Sequence, residues 1–116
     1  MEIKQFQSIN TQRALTWHKG GLQEWSLLEW AGAAAGELGE AANIAKKIRR
    51  MDMEINSNNN ISTREKAVEM LGDEIADTIT YMFLLASAAG IDVESAMIRK
   101  FNAISKRENL PFDIEP

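Results

Sequence analysis

Residues 27–45 read LLEWAGAAAGELGEAANIA, and the way this stretch is built decides the fold. Rich in Ala and Leu, free of Pro and almost free of β-branched residues, it predicts a helix. Small or apolar side chains almost all the way round predict that the helix is buried on most of its circumference. Two carboxylates interrupt that pattern. Glu37 and Glu40 stand three positions apart, about 60° from one another at ~100° per residue, on the face that also carries Trp30, Ala33 and Ile44. No solvated polar stripe surrounds them.

The flanks extend this helix to about residues 26–50: Ser26 and Glu29 have capping-box spacing, and Lys46, Lys47, Arg49 and Arg50 complement the negative end of the helix dipole. A first helix is predicted over about 3–18, closed by Gly20 and Gly21. A third runs over about 63–89, opening with Ser62 and Glu65 and stopping at Gly90. A fourth begins after Asp92, read as its N-cap, and fades by Asn109 before Pro111. The second and third helices are each about 38 Å long at ~1.5 Å per residue and are predicted to pair antiparallel across a polar loop. That loop includes the stretch NSNNN at 56–60, read as a mobile connector. Both prolines fall in the last six residues, so the expectation is an all-α bundle of four to five helices around a long antiparallel pair.

The third helix repeats the carboxylate device. Glu74 and Asp77 are three residues apart, on a face with Met70, Tyr81 and Leu84. A lone pair of this kind is ordinarily part of a solvated helix face. Two pairs, each set in an apolar helix, would repel one another and be costly to desolvate without a compensating cation. Hard divalent ions such as Mg²⁺ take oxygen ligands and keep several waters, so the two pairs facing each other make a Mg²⁺ cradle. Glu69 and Asp73 read as the exposed acidic side of the same helix.

Composition narrows the remaining classes. The chain has 116 residues, with 17 Asp and Glu against 13 Lys and Arg, a formal charge of −4. Its length fits one domain, 1–116, with a modest core, so leftover helix faces are expected to be covered by a partner subunit. The acidic balance argues against a nucleic-acid backbone as partner. Without cysteine the chain has no disulfide, thiolate metal site or Cys nucleophile. The opening MEIKQFQSIN carries no signal pattern, and no apolar run reaches the ~20 residues of a membrane helix, so a cytoplasmic protein is expected.

GELGEAANIAKK at 36–47, followed by LGDEIADTITYMFLLASAAGID at 71–92 and IRKFNAISKR at 98–107, resembles the MazG-like all-α nucleoside triphosphate pyrophosphohydrolases. The defining pattern of that family is ExxE on one helix and ExxD on the next, and the likeness spans roughly 24–107. It implies hydrolysis of a (deoxy)nucleoside triphosphate between its α- and β-phosphates, giving the monophosphate and pyrophosphate. It also implies Mg²⁺, replaceable by Mn²⁺, on Glu37, Glu40, Glu74 and Asp77, and a homodimer or a tetramer built as a dimer of dimers. The single-domain length is most like the MazG-like and dCTP pyrophosphatase branches. Some dCTP-selective relatives carry an aromatic residue where this chain has Lys46 and Lys47, so no particular base is implied.

Metal-assisted phosphoryl transfer suits this inventory, and one of the four acids can double as the base that takes a proton from water. Matching the family's habit on the fourth helix, Lys100, Asn102, Lys106 and Arg107 are candidate phosphate or sugar contacts, and Tyr81 a further one. Trp25 and Trp30 are candidate platforms for a nucleobase. Trp17, His18 and Lys47 complete the candidate set, with His18 read first as a cap or surface residue. A ferritin-like di-iron bundle needs Glu-x-x-His pairs, and the one His lies far from either acid pair. The remaining alternative is a non-catalytic helical interaction module whose acids are structural.

Overall fold

The computed structural model describes residues 1–55 and 61–116; the Asn-rich stretch 56–60 lies outside them. Among these residues four α-helices form: α1 (Ile3–Ala14), α2 (Leu27–Asp52), α3 (Arg64–Ala88) and α4 (Val93–Arg107), with a short 3₁₀ turn at Leu22–Glu24. Among the described residues there is no strand, and no single helix is long and apolar enough to cross a membrane. The chain divides into two compact units, one of Leu28–Met82 and one that joins Met1–Leu27 to Phe83–Pro116.

The first of these units is the expected antiparallel pair. Asp52 meets Arg64 at one end, with bidentate bonds of 2.7 and 3.2 Å, and Trp30 meets Tyr81 at the other, ring centroids 6.4 Å apart. Partners therefore advance on α3 as they retreat on α2. The core nearest the loop comprises Ile44, Ile48, Ile61 and Ala67, with Met51, Met70 and Leu71 packed against it. Farther along, Trp30, Ala34 and Ala41 are buried on the same side of α2. Arg64 beside Asp52 holds that carboxyl below its ordinary range.

In the other unit α1 packs on α4, and Phe6 meets Phe83 edge to face at 5.1 Å. Gln7 ties the unit together: its Nε2 donates to Ser87 Oγ (3.1 Å) and to the Ile91 carbonyl (2.7 Å), while its Oε1 accepts the Val93 N–H (2.9 Å). The cap of α4 therefore comes from α1. Asp92, expected in that role, makes no side-chain cap bond; it accepts from Ser95 Oγ at 2.7 Å and pairs with Lys4 at 3.6 Å.

Helix ends differ from expectation for local reasons. α1 stops at Ala14, four residues early, because the chain tightens: the N–H of Thr16 bonds to Arg13 and that of Trp17 to Ala14. Gly21, with φ +104°, starts the 3₁₀ turn and does not close α1. Thr63, not Ser62, caps α3, its Oγ1 accepting the Lys66 N–H at 3.1 Å. α2, α3 and α4 finish alike, with Glu54, Gly90 and Asn109 at positive φ and the next N–H reaching back five residues, as from Ile91 to Ala86 at 2.8 Å.

Candidate metal centre

The antiparallel register brings the two acid pairs together. Glu37, Glu74 and Asp77 each offer a carboxylate oxygen, and the three oxygens lie within 4.8 Å of one another. Helical spacing makes this possible: acids three apart on α3 share a face, and that face meets the side of α2 carrying Glu37. Glu37 and Glu74 are half-buried and Asp77 is exposed. Glu40 is exposed and stands outside this set of three.

The electrostatics mark Glu74 as the strained member. Its Oε2 is buried and has no hydrogen-bond partner. Glu37 against it, desolvation, and the nearby Glu40 push its carboxyl up to about 7. Two carboxyl groups hydrogen-bond only when one of them holds a proton, so with both ionised Glu74 Oε2 has no donor. An orphaned buried oxygen beside two other carboxylates is a donor set suited to a hard oxygen-loving cation, and Mg²⁺ and Mn²⁺ meet that description.

Further along α2 and α3 the same unit holds Trp30, Tyr81 and Lys47. Trp30 is only 1% exposed and so has no face left for a base to stack on; it belongs to the core. Tyr81 is half-buried, one turn beyond Asp77, and its ring lies against Trp30. Lys47 is half-buried near the basic end of α2.

The other candidates belong to the second unit. Trp25 is half-buried and meets His18 edge to face at 5.1 Å. His18 lies 3.7 Å from Glu24 and is packed rather than at the surface. Trp17 is 70% exposed, with the Arg13 guanidinium 5.9 Å over its ring. On α4, Arg107 pairs with Glu108 at 3.0 Å, and Lys100 borders an apolar groove with Met97, Phe101, Ile104 and Ile114.

Asn102 is engaged within the chain. Its Nδ2 donates to the Ile114 carbonyl and its Oδ1 accepts the Ile114 N–H, both at 2.8 Å, which clamps the C-terminal segment onto α4. Lys106 lines a polar pocket with Arg99 and Asn109, two residues absent from the sequence-derived set. Arg99 was detectable: it lies seven residues before Lys106, on the same helix face.

No protein-family model matches the chain, and neither a curated protein nor a solved structure matches it.

Proposed function

We propose that the chain is a metal-dependent hydrolase of the MazG-like kind, cleaving (deoxy)nucleoside triphosphates between the α- and β-phosphates to the monophosphate and pyrophosphate in nucleotide-pool control or house-cleaning. The observation that carries this reading is the convergence of Glu37, Glu74 and Asp77 carboxylate oxygens, with Glu74 Oε2 buried and without a donor. Those three side chains would hold Mg²⁺ or Mn²⁺. When bound, the ion supplies positive charge for the phosphate oxygens, which carry the negative charge that such a reaction must stabilise.

The chain's own groups divide the remaining work. Glu40, exposed and outside the three-oxygen set, has a carboxylate available to take the proton of the attacking water. Tyr81, half-buried one turn from Asp77, is the nearby hydroxyl able to donate to a phosphate oxygen.

Incubation of the purified protein with a panel of dNTPs and Mg²⁺, followed by separation of products, tests the proposal. Monophosphate and pyrophosphate in equal amounts are expected, and Glu40→Gln or Asp77→Asn should abolish turnover while circular dichroism keeps its helical signal. Absence of turnover for every nucleotide, together with no calorimetric Mg²⁺ binding, would leave the non-catalytic interaction module as the better reading.

A further inference from the structure

The basic end of α2 carries more positive charge than the helix needs. Lys46, Lys47, Arg49 and Arg50 fill four of five consecutive positions, in a chain whose formal charge is −4. The helix dipole accounts for Arg49 and Arg50, which lie in the last turn; Lys46 and Lys47 stand before it, where the field of the dipole has fallen off. At spacings of three and four, 46 with 49, 46 with 50 and 47 with 50 are like-charge neighbours, an arrangement that destabilises a helix. No acidic residue occurs from 41 to 51. Asp52, the acid that follows, is taken up by Arg64 at 2.7 Å. Among the described residues no carboxylate lies within ion-pair distance of any of the four cations.

Helical spacing gathers these cations on one face and sets apolar side chains beside them. At ~100° per residue Lys46, Arg49 and Arg50 fall within about 100° of one another, on the side opposite Ile44 and Ile48 of the core. All three are exposed. The N–H of Met53 still bonds to the Arg49 carbonyl at 3.0 Å, which keeps Met53 in the same sector, and the chain then turns at Glu54, with φ 57°. Met53 is 52% exposed and Ile55 49%. With Asp52 held by Arg64, Glu54 is the acid left at this end of α2, against four cations.

We propose that this end of α2 docks on an anionic lipid surface, with the four cations among the headgroup phosphates and Met53 and Ile55 at the boundary of the acyl layer. Attachment at a membrane surface takes two signals, and a basic cluster beside uncovered apolar side chains supplies both. Surface charge is felt over about 8 Å at physiological salt, so the local cations, and not the acidic balance of the whole chain, set the attraction. A nucleic-acid backbone would meet the same cations but would leave Met53 and Ile55 in water, and positions 41–55 hold no aromatic side chain on which a base could stack. Such docking needs no membrane-crossing helix. Neither Lys46 nor Arg50 belongs to the carboxylate centre, so failure of the lipid contact leaves the hydrolase reading standing, and the reverse.

The full chain is expected to co-sediment with vesicles of mixed phosphatidylglycerol and phosphatidylcholine, to stay free of vesicles of phosphatidylcholine alone, and to be released as salt is raised. Lys46→Gln combined with Arg50→Gln keeps helix propensity and is expected to weaken vesicle binding about thirtyfold, the effect of taking two basic residues from a charged lipid surface. Met53→Ser is expected to weaken vesicle binding by about threefold while leaving binding to heparin, a polyanion without an apolar layer, unchanged. No sedimentation with the anionic vesicles overturns the proposal, as does equal binding to the neutral ones. Binding to an oligonucleotide at a lower protein concentration than to the anionic vesicles overturns it in favour of a nucleic acid. A still helical double variant, or a Met53→Ser chain, that binds the vesicles as tightly as the parent also overturns it. If the double variant loses its helical signal, the two vesicle compositions and Met53→Ser decide.

Discussion

Glu37 on α2 and Glu74 on α3 bring carboxylate oxygens within 4.8 Å of each other, and Glu74 Oε2 is buried with no donor. Like charges at that spacing, partly removed from water, raise the free energy of the metal-free fold. On the proposed reading, a cation bound there would relieve the repulsion and would link metal affinity to fold stability through this pair.

Glu74→Gln is therefore expected to move two properties in opposite directions. The amide removes one charge and can donate to Glu37, so the metal-free protein should melt at a higher temperature than wild type. Affinity for Mn²⁺ should fall by on the order of a hundredfold, as for loss of a directly bound carboxylate. Thermal melts in chelator and Mn²⁺ titration by electron paramagnetic resonance measure the two effects. A lower melting temperature with unchanged affinity would remove Glu74 from the site.

The same group sets a pH dependence. Its carboxyl is raised from 4.5 to about 7 in the fold, first by Glu37 and then by desolvation and Glu40. Between those values the native state holds a proton that the unfolded chain releases, so the stability this proton provides is complete below pH 4.5 and is lost as pH rises through about 7. Melting temperature in chelator should consequently fall between about pH 5 and about pH 8.5, and Glu74→Gln should flatten that slope. A saturating divalent ion should flatten it as well, since metal binding needs the ionised form.

Gln7 holds three partners around the start of α4, and the loss of all three should be costly. Gln7→Ala is expected to destabilise the protein by about 1 to 3 kcal/mol, the range for a lost cap together with part-buried hydrogen bonds. Gln7→Glu keeps an acceptor for the Val93 N–H but loses the donor to Ser87 and Ile91, so it should fall between Ala and wild type. Urea denaturation gives the order, and equal stability of Gln7→Ala and wild type would remove the cap assignment.

Asn102 clamps Ile114 through paired bonds of 2.8 Å. Asn102→Ala should speed amide exchange at Ile114 by about tenfold, while costing only about 1 kcal/mol of global stability, because the clamp joins partly exposed groups. Asn102→Asp keeps the acceptor for the Ile114 N–H but puts a second acceptor against its carbonyl, and should give most of the same effect. An Ile114 amide that exchanges at the wild-type rate in both variants would show that the segment is held by something else.

Helix content and pairing were legible because both follow from local rules. The Ala-rich run 27–45 could form little else, and two acids three apart on each of two long helices had to share a face. The ends were less legible. Thr63 and Ser62 are both good caps, and only the path of the chain chose Thr63. Gln7 could not be recognised as the cap of α4, since its partner Val93 is 86 positions away and no periodicity links them.

The candidate site divides in the same way. Sequence alone determined an all-helical chain, the antiparallel order of its long helices, and four acids placed where apolar residues were expected, because spacing and propensity act over a few residues. Tertiary structure decided which carboxylates converge, that Glu74 Oε2 is left without a donor, that Trp30 is enclosed while Trp17 is exposed, and that Asn102 serves the C-terminal segment. These depend on which side chains from distant positions meet and how much water they exclude. A one-dimensional pattern carries neither quantity.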